Sequence, residues 1–291
     1  MRKIFRYFRK SRFSYKPLIE INISKERLLR NLHLFQEVYK CGRIAPVLKS
    51  NAYGHGLTNI AKVLDREDVP FLTVDSYYEA LVLRNEGVKS QILILGYTLP
   101  ENIFASNLRD VSFTLTDLAQ LKTISEKLSS PKKFHLKVDT GMHRQGIVEK
   151  DLQEAYALIQ ANQYIVLEGV CSHLAHADNT ADNKFNNKQI ERWNAVVKIA
   201  RKTIPKIKYF HLTATAGSFY SEGIDANIMR LGLGLYGINA RENNQLPLQP
   251  VLEMKSIISG IKEIKKGDIV GYNLTFEAQR DMKIATVPVG Y

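Results

Sequence analysis

The chain has 291 residues, 45% of them hydrophobic and 9% aromatic, which excludes a disordered polar tract and leaves room for one large domain with a smaller one. Its formal charge of +12 would suggest nucleic acid, but more than half of the excess lies in the first 16 residues, where Arg2, Lys3, Arg6, Arg9, Lys10, Arg12 and Lys16 stand without an acid, and no nucleic-acid-binding signature accompanies them. Cys41 and Cys171 are too far apart for a C-x-x-C site or a disulfide framework and fit a reducing cytoplasm, and no apolar run approaches the ~20 residues that span a bilayer.

The basic arm, residues 1–17, interleaves aromatics with arginines between Ile4 and Arg9. A membrane-surface helix or a targeting peptide could be built that way, though a frayed extension is the plainer reading. Residues 18–23 alternate apolar and polar, as a half-buried strand does, and should pair with a sheet elsewhere. Ser24 can cap the next helix, in which Leu28, Leu32 and Phe35 share one face.

From Arg43 the chain alternates short apolar runs with amphipathic helices. The runs are 44–48, 71–74, 91–95, 111–115, 134–138, 166–171, 208–212 and 228–231. Helix patterns between them include 80–86 closed by Gly87, 118–128 capped by Thr116, and 190–203, which presents Trp193 and Val197 together. Eight strands with eight crossovers predict an α/β fold, a (β/α)8 barrel, over residues 18–241. An open doubly wound sheet is the alternative, but no G-x-G-x-x-G follows the first strand. Asn243, Asn244, Pro247 and Pro250 then form a polar connector. Beyond it the runs 254–261, 268–272 and 283–289 are strand-like, with turns at 265–268 and 279–281. Residues 242–291 therefore read as the start of a mostly β domain, to which strand 18–23 is expected to add.

In such a barrel, active-site groups gather at the C-terminal ends of the strands. The first barrel strand delivers Lys49 into the turn Ser50-Asn51-Ala52-Tyr53-Gly54. An amine desolvated there is a candidate Schiff-base nucleophile, although a lysine at a strand end is more often a solvated terminus. Strand five ends in Lys137-Val138-Asp139-Thr140-Gly141-Met142-His143-Arg144, strand six in Ser172-His173, strand seven in Thr213-Ala214-Thr215-Ala216, and strand eight in Met229-Arg230-Leu231-Gly232. The last two loops are where this architecture commonly cradles phosphate. Taken singly, His173 is more often an interior hydrogen-bonded histidine. His135, His143, His176 and His211 are left at that reading, and Asp139 at the reading of a turn former. Lys137, inward on a strand, is harder to explain blandly, because an unpaired buried ammonium is costly.

Together these segments resemble the alanine racemase family of fold-type III pyridoxal-phosphate enzymes. The resemblance rests on the Lys49 stretch, D-T-G-M-x-R at 139–144, R-x-G-x-x-x-Y-G at 230–237 and V-P-V-G-Y at 287–291. It implies pyridoxal 5'-phosphate as cofactor, held covalently by Lys49, with Tyr53, Thr215 and the amides near Gly232 and Leu233 on its phosphate. It further implies Arg230 against the pyridine nitrogen, His173 beside the ring supporting Arg230, and Arg144 by the substrate carboxylate. Lys137 matches a lysine that is carbamylated in many members. Lys49 and Tyr291 would be the two bases on opposite faces of the substrate, Tyr291 reaching the partner's site in a homodimer. The activity implied is interconversion of L- and D-alanine, a small-molecule amino-acid substrate, supplying D-alanine for peptidoglycan in the cytoplasm. A racemase for serine or a basic amino acid, or a noncatalytic cofactor-binding barrel, are the alternatives. Two departures stand out. Ala214-Thr215 replaces the usual Asn-Ser, which removes an amide from the phosphate end. Relatives also continue past Tyr291 with further strands, so the chain is expected to be a fragment that binds cofactor but racemises slowly.

Overall fold

The computed structural model describes residues 15–40, 42–179, 183–220, 223–241 and 246–290. The arm before Tyr15, Cys41, the connector residues Asn243 and Asn244, and Tyr291 lie outside them. The chain divides into two compact units, 24–251 and a smaller one formed by the segments 1–23 and 252–291. Strand β1 (Ile19–Ile23) belongs to the smaller unit.

The larger unit opens with α1 (Lys25–Val38). Ser24 Oγ accepts from Arg27 N at 3.2 Å, and Leu28, Leu32 and Phe35 are buried on one face, as the spacing predicts. There follow β2 (Arg43–Pro46), α2 (Leu57–Leu64), β3 (Leu72–Val74), α3 (Tyr77–Asn85), β4 (Ile92–Ile94), α4 (Pro100–Ala105), β5 (Val111–Leu115), α5 (Leu118–Lys127), β6 (Lys132–Asp139), the short β7 (Ile147–Val148), α6 (Leu152–Ala161), β8 (Ile165–Cys171), α7 (Lys184–Thr203), β9 (Tyr209–His211) and β10 (Ile228–Leu231). β3, β4, β5, β6, β8 and β9 pair in parallel in that order, and β10 pairs in parallel with β2. Two parallel bridges, Val47 with Thr73 and Ala214 with Arg230, join the two groups and close the barrel. With helices outside and side chains inside, β3, β4, β5 and β10 are buried along their whole length; β4 is apolar throughout, as burial on both faces favours, whereas β5 alternates V-S-F-T-L and buries its hydroxyls because Ser112 donates to Glu168 and Thr114 to Ile94 O. Ala45, Phe71, Leu93 and Ile228 meet in the barrel interior.

Local details differ from the sequence reading. The cap of α5 is Asp117, whose carboxylate accepts from Gln120 N at 2.8 Å, and not Thr116, whose hydroxyl bonds to Asp117 and Gln120 instead. Helix α7 begins at Lys184 rather than near 190. Its first turns carry the polar Asn186 and Gln189, which break the apolar pattern yet are buried because they donate to the carbonyls of His176 and His173.

In the smaller unit, β1 pairs antiparallel with β11 (Leu252–Ser256), β12 (Gly260–Ile264) with β15 (Met282–Thr286), and β13 (Ile269–Val270) with β14 (Phe276–Glu277). The run expected as one strand over 254–261 is thus two. Ser259 donates from both N and Oγ to Thr286 O, so the chain changes pairing partner at that point. Among the described residues no helix is long and apolar enough to cross a membrane.

Candidate active site

Residues 44–48, from strand β2 through Leu48, are buried, and the chain then turns sharply at Lys49. Ser50, Asn51, Ala52 and Tyr53 all have φ between 52° and 55°. Four successive L-residues in the left-handed region cost roughly 1–2 kcal/mol each, so the surroundings must over-determine this turn. Gly54 and Gly56, at φ 88° and 93°, carry the chain out of it without a Cβ penalty. Asn51 Oδ1 accepts from Leu57 N at 2.8 Å and so starts α2. Glu79 accepts from Asn51 N at 3.1 Å with one oxygen and from Asp75 N at 2.8 Å with the other. The product is a half-buried Lys49 facing the same cavity as Tyr53.

That cavity, of about 750 Å³, is also lined by Lys137, Arg144, His173, Thr215, Arg230, Gly232 and Leu233. The structure therefore brings together every candidate but Tyr291, which lies outside the described residues.

Arg230 is buried at the end of β10, and its hydrogen-bond partners among the described residues are all neutral. Its Nη1 donates to His211 Nδ1 at 2.5 Å and to His211 O at 2.8 Å; its Nη2 donates to Ser172 O at 2.7 Å and lies 3.2 Å from His173 Nδ1. A guanidinium is donor-only, so both Nδ1 atoms must be acceptors and each ring carries its proton on Nε2. His211 Nε2 then donates to His135 Nδ1 at 2.7 Å, which makes His135 neutral and Nε2-protonated as well. Burial, and secondarily the Arg230 charge, hold His135 and His173 down to a pKa of about 3 and His211 well below the ordinary value. His211 is thus a direct partner of the arginine, a role its lone position in an apolar strand did not signal. Gly169 on β8 is required by this chain of rings, because a Cβ there would fall 2.4 Å from His135 Nδ1.

At the other end of the cavity, burial and then Asp75 raise the Tyr53 pKa and keep its hydroxyl protonated. Tyr236, whose own hydroxyl is used by Val47 O at 2.9 Å, packs 5.1 Å from the Tyr53 ring. Thr215 Oγ1 accepts from Gly234 N at 3.2 Å, which leaves its proton available to another acceptor. Tyr53 and Thr215 converge on Gly232, where a Cβ would lie 2.7 Å from Tyr53 Oη.

Lys137 is 9% exposed and has no hydrogen-bond acceptor among the described residues. Burial lowers its pKa more than the neighbouring Cys171 raises it, so its amine is biased toward the neutral form. Arg144 is exposed and faces both the cavity and an adjoining groove with Asp117, Asp139 and His143. Asp139 shapes the turn between β6 and β7: it accepts from Gly141 N at 2.9 Å and His143 N at 3.1 Å, and these bonds outweigh the effect of its burial and lower its pKa. His143 and His176 are exposed rather than interior, since both stand on loops beyond the strand ends.

Fold and cavity together define a barrel enzyme with an amine-bearing pocket at the C-terminal ends of its strands. Residues 23–240 match the model of the alanine racemase N-terminal domain, and residues 251–291 that of the alanine racemase C-terminal domain. An alanine racemase of Lactobacillus gasseri is 35% identical over 95% of this chain and 76% of its own. A crystal structure of alanine racemase from Bacillus anthracis with bound L-Ala-P superposes with a TM-score of 0.85 at 28% identity, over 96% of this chain and 74% of that one. A histidine racemase from Leuconostoc mesenteroides superposes at 0.81 and 28% identity, over 95% and 76%. The chain belongs to the alanine racemase family and is an amino-acid racemase.

Proposed function

We propose that this chain interconverts L-alanine and D-alanine with pyridoxal 5'-phosphate as its cofactor. The reading is carried by one cavity that joins the Lys49 amine, Arg230 with its neutral histidines, and the cradle at Gly232. The cradle suits a phosphate, because the close approach of Tyr53 Oη to position 232 exists only where there is no side chain. Tyr53 Oη, Thr215 Oγ1 and the amides of Gly232 and Leu233 would hold the dianion. When bound, the cofactor supplies an electron-withdrawing ring that spreads the negative charge left by a departing α-proton. Arg230 would stand against the ring nitrogen. Having no acceptor and keeping its own protons, it would leave that nitrogen unprotonated, restrain how much charge the ring could absorb, and so favour return of the proton over transamination.

Racemisation needs a proton acceptor on one face of the α-carbon and a donor on the other. Lys49 Nζ is the group for one face. Tyr291 is the group for the other in this reading, and its phenol, ordinarily near ~10, would need nearby cations to act at neutral pH. Arg144, with no hydrogen-bond or ion-pair partner among the described residues, would receive the substrate carboxylate. The buried Lys137 amine suits carbamylation: its nitrogen bonds to the carbon of CO2, a proton leaves, and the resulting anion orients Arg144. Two copies would complete each other's sites, and the D-alanine made in the cytoplasm would serve peptidoglycan assembly.

Two measurements test this. Circular dichroism of L-alanine, L-serine, L-lysine and L-histidine incubated with the cofactor-loaded chain should show alanine losing its rotation fastest. Faster loss for a basic amino acid would move the substrate assignment, and no loss with cofactor bound would point to a noncatalytic carrier. Separately, Gly232→Ala should weaken pyridoxal phosphate binding about ten- to a hundredfold, the equivalent of one lost charge-assisted hydrogen bond, while leaving affinity for unphosphorylated pyridoxal nearly unchanged. Equal losses for both ligands would place the phosphate elsewhere.

A further inference from the structure

Helix α3 is capped at its N-terminus by Ser76, whose Oγ accepts from Glu79 N at 3.2 Å. Ser and Glu three apart at a helix start ordinarily form a reciprocal pair, with the glutamate reaching back to the cap residue's own amide. Glu79 does something else. Its Oε2 accepts from Asp75 N at 2.8 Å, one residue before the cap, and its Oε1 accepts from Asn51 N at 3.1 Å, on the loop after β2. A single carboxylate thus ties together the loops that follow the first two barrel strands. The loop it reaches is the one held in left-handed conformation from Ser50 to Tyr53, with Lys49 immediately before the run and a cavity-lining tyrosine at its end. Glu79 itself does not line the cavity. Among the described residues, the other side-chain bonds to this turn come from within the segment: Asn51 Oδ1 accepts from Leu57 N, and His55 Nδ1 bonds the carbonyls of Ala52 and Tyr53.

We propose that Glu79 is a positioning residue, a clamp on the strained turn that sets where Lys49 Nζ and Tyr53 Oη stand. The proposal rests on the reading of Lys49 as the cofactor lysine. An amide acceptor cannot replace the carboxylate at both N–H groups, because the NH2 end of a glutamine would face a donor. Glu79→Gln should therefore loosen the turn without removing any group from the cavity. The strain supplies a second prediction. Ser50 is exposed and sits at φ 54°, ψ 56°, a conformation glycine adopts at no steric cost. Ser50→Gly should make the clamp partly dispensable.

The test uses the full chain and two readouts. In the absence of cofactor, hydrogen exchange at the Asn51 amide should speed up at least about tenfold in Glu79→Gln, while the amides inside α3 change little. With pyridoxal phosphate added, the rate of covalent capture, in which Lys49 Nζ bonds to the aldehyde carbon and one water leaves, is followed by borohydride trapping and mass of the Lys49 peptide. It should fall about tenfold to a hundredfold, the scale of a misplacement of about 1 Å, and recover in the Ser50→Gly/Glu79→Gln double variant. If Glu79 merely caps α3, the single variant exposes α3 amides, leaves Asn51 and the capture rate as in wild type, and the proposal falls. It also falls if the double variant captures no faster than the single one. Should Glu79→Gln fail to fold, Ser50→Gly/Glu79→Gln remains decisive: a strained turn needs the glycine, so a double variant equally unfolded overturns the clamp. Failure of the wild-type chain to be trapped at Lys49 would sink the cofactor reading instead, and the exchange measurement would still judge Glu79.

Discussion

Replacing Lys49 by alanine should lower alanine racemisation by about a thousandfold or more, the range in which a positioned proton-transfer group contributes, and should remove covalent retention of pyridoxal phosphate by the Lys49 peptide. The prediction has to reckon with a second amine, because Lys137 opens into the same cavity. The two amines differ in setting. Lys49 is half-buried and stands at the start of a turn; Lys137 is buried, on the regular ladder of β6 opposite Cys171 of β8. Its backbone is held by the pairing with Cys171 and by its neighbours, Leu136 paired to β5 and Val138 to β7, so it cannot follow a ligand as the head of a loop can. Borohydride trapping followed by peptide mapping should label residue 49 in the wild type, and at most a slow trace at residue 137 in Lys49→Ala. Label on Lys137 in the wild type would reassign the cofactor lysine. Undiminished racemisation in the variant would remove Lys49 from the mechanism.

The barrel was legible because its strands are covered on both sides. Such strands are short and rich in apolar residues even where a buried Ser, Thr or Arg interrupts them, and the segments 111–115 and 228–231 coincide with β5 and β10. Given closure, the candidates fell at one end of the strands for a topological reason, and one cavity collects them. What was not legible depends on contacts between segments distant in sequence. The left-handed turn after Lys49 lacks glycine at Ser50, Asn51, Ala52 and Tyr53; what holds it includes Glu79 from the first turn of α3, so local propensity pointed away from it. His211 reads as any apolar-strand histidine. Its role appears only when β9 lies beside β10 and places its ring against Arg230. The reading of α5 missed Asp117 by one residue because Thr116 and Asp117 are both cap-forming types, and only the backbone decides which oxygen faces the Gln120 amide. The break between β11 and β12 was invisible because Ile257 and Ile258 are exposed, so their apolar character does not mark a continuous buried strand.

Acid should unfold the barrel at a higher pH than its carboxylates alone would allow, and the cause is the trio His135, His173 and His211. Unfolded, each imidazole titrates near ~6.5. Folded, burial first and the Arg230 charge second keep His135 and His173 neutral down to about 3, with His211 also held well below its ordinary value. Between those limits the unfolded chain binds more protons than the folded one, so stability is full above pH ~6.5 and falls as the pH falls. Each histidine contributes a slope approaching about 1.4 kcal/mol per pH unit, and three together approach about 4. Against a domain stability of roughly 5–15 kcal/mol, most of the margin is gone within two or three units below neutrality. The lowered carboxylate Asp139 acts in the same direction only at lower pH, below its unfolded value near ~4. Urea midpoints measured from pH 8 to pH 4.5 should be flat above 7 and then drop steeply, with proton uptake on unfolding rising toward three near pH 5. His135→Phe, which keeps a ring against Phe71 and removes one titrating group, should lower that uptake by one. A midpoint unchanged between pH 7 and pH 5, or an uptake below one proton, would mean that these rings are charged or solvated in the folded chain, and that Arg230 is not held by neutral acceptors alone.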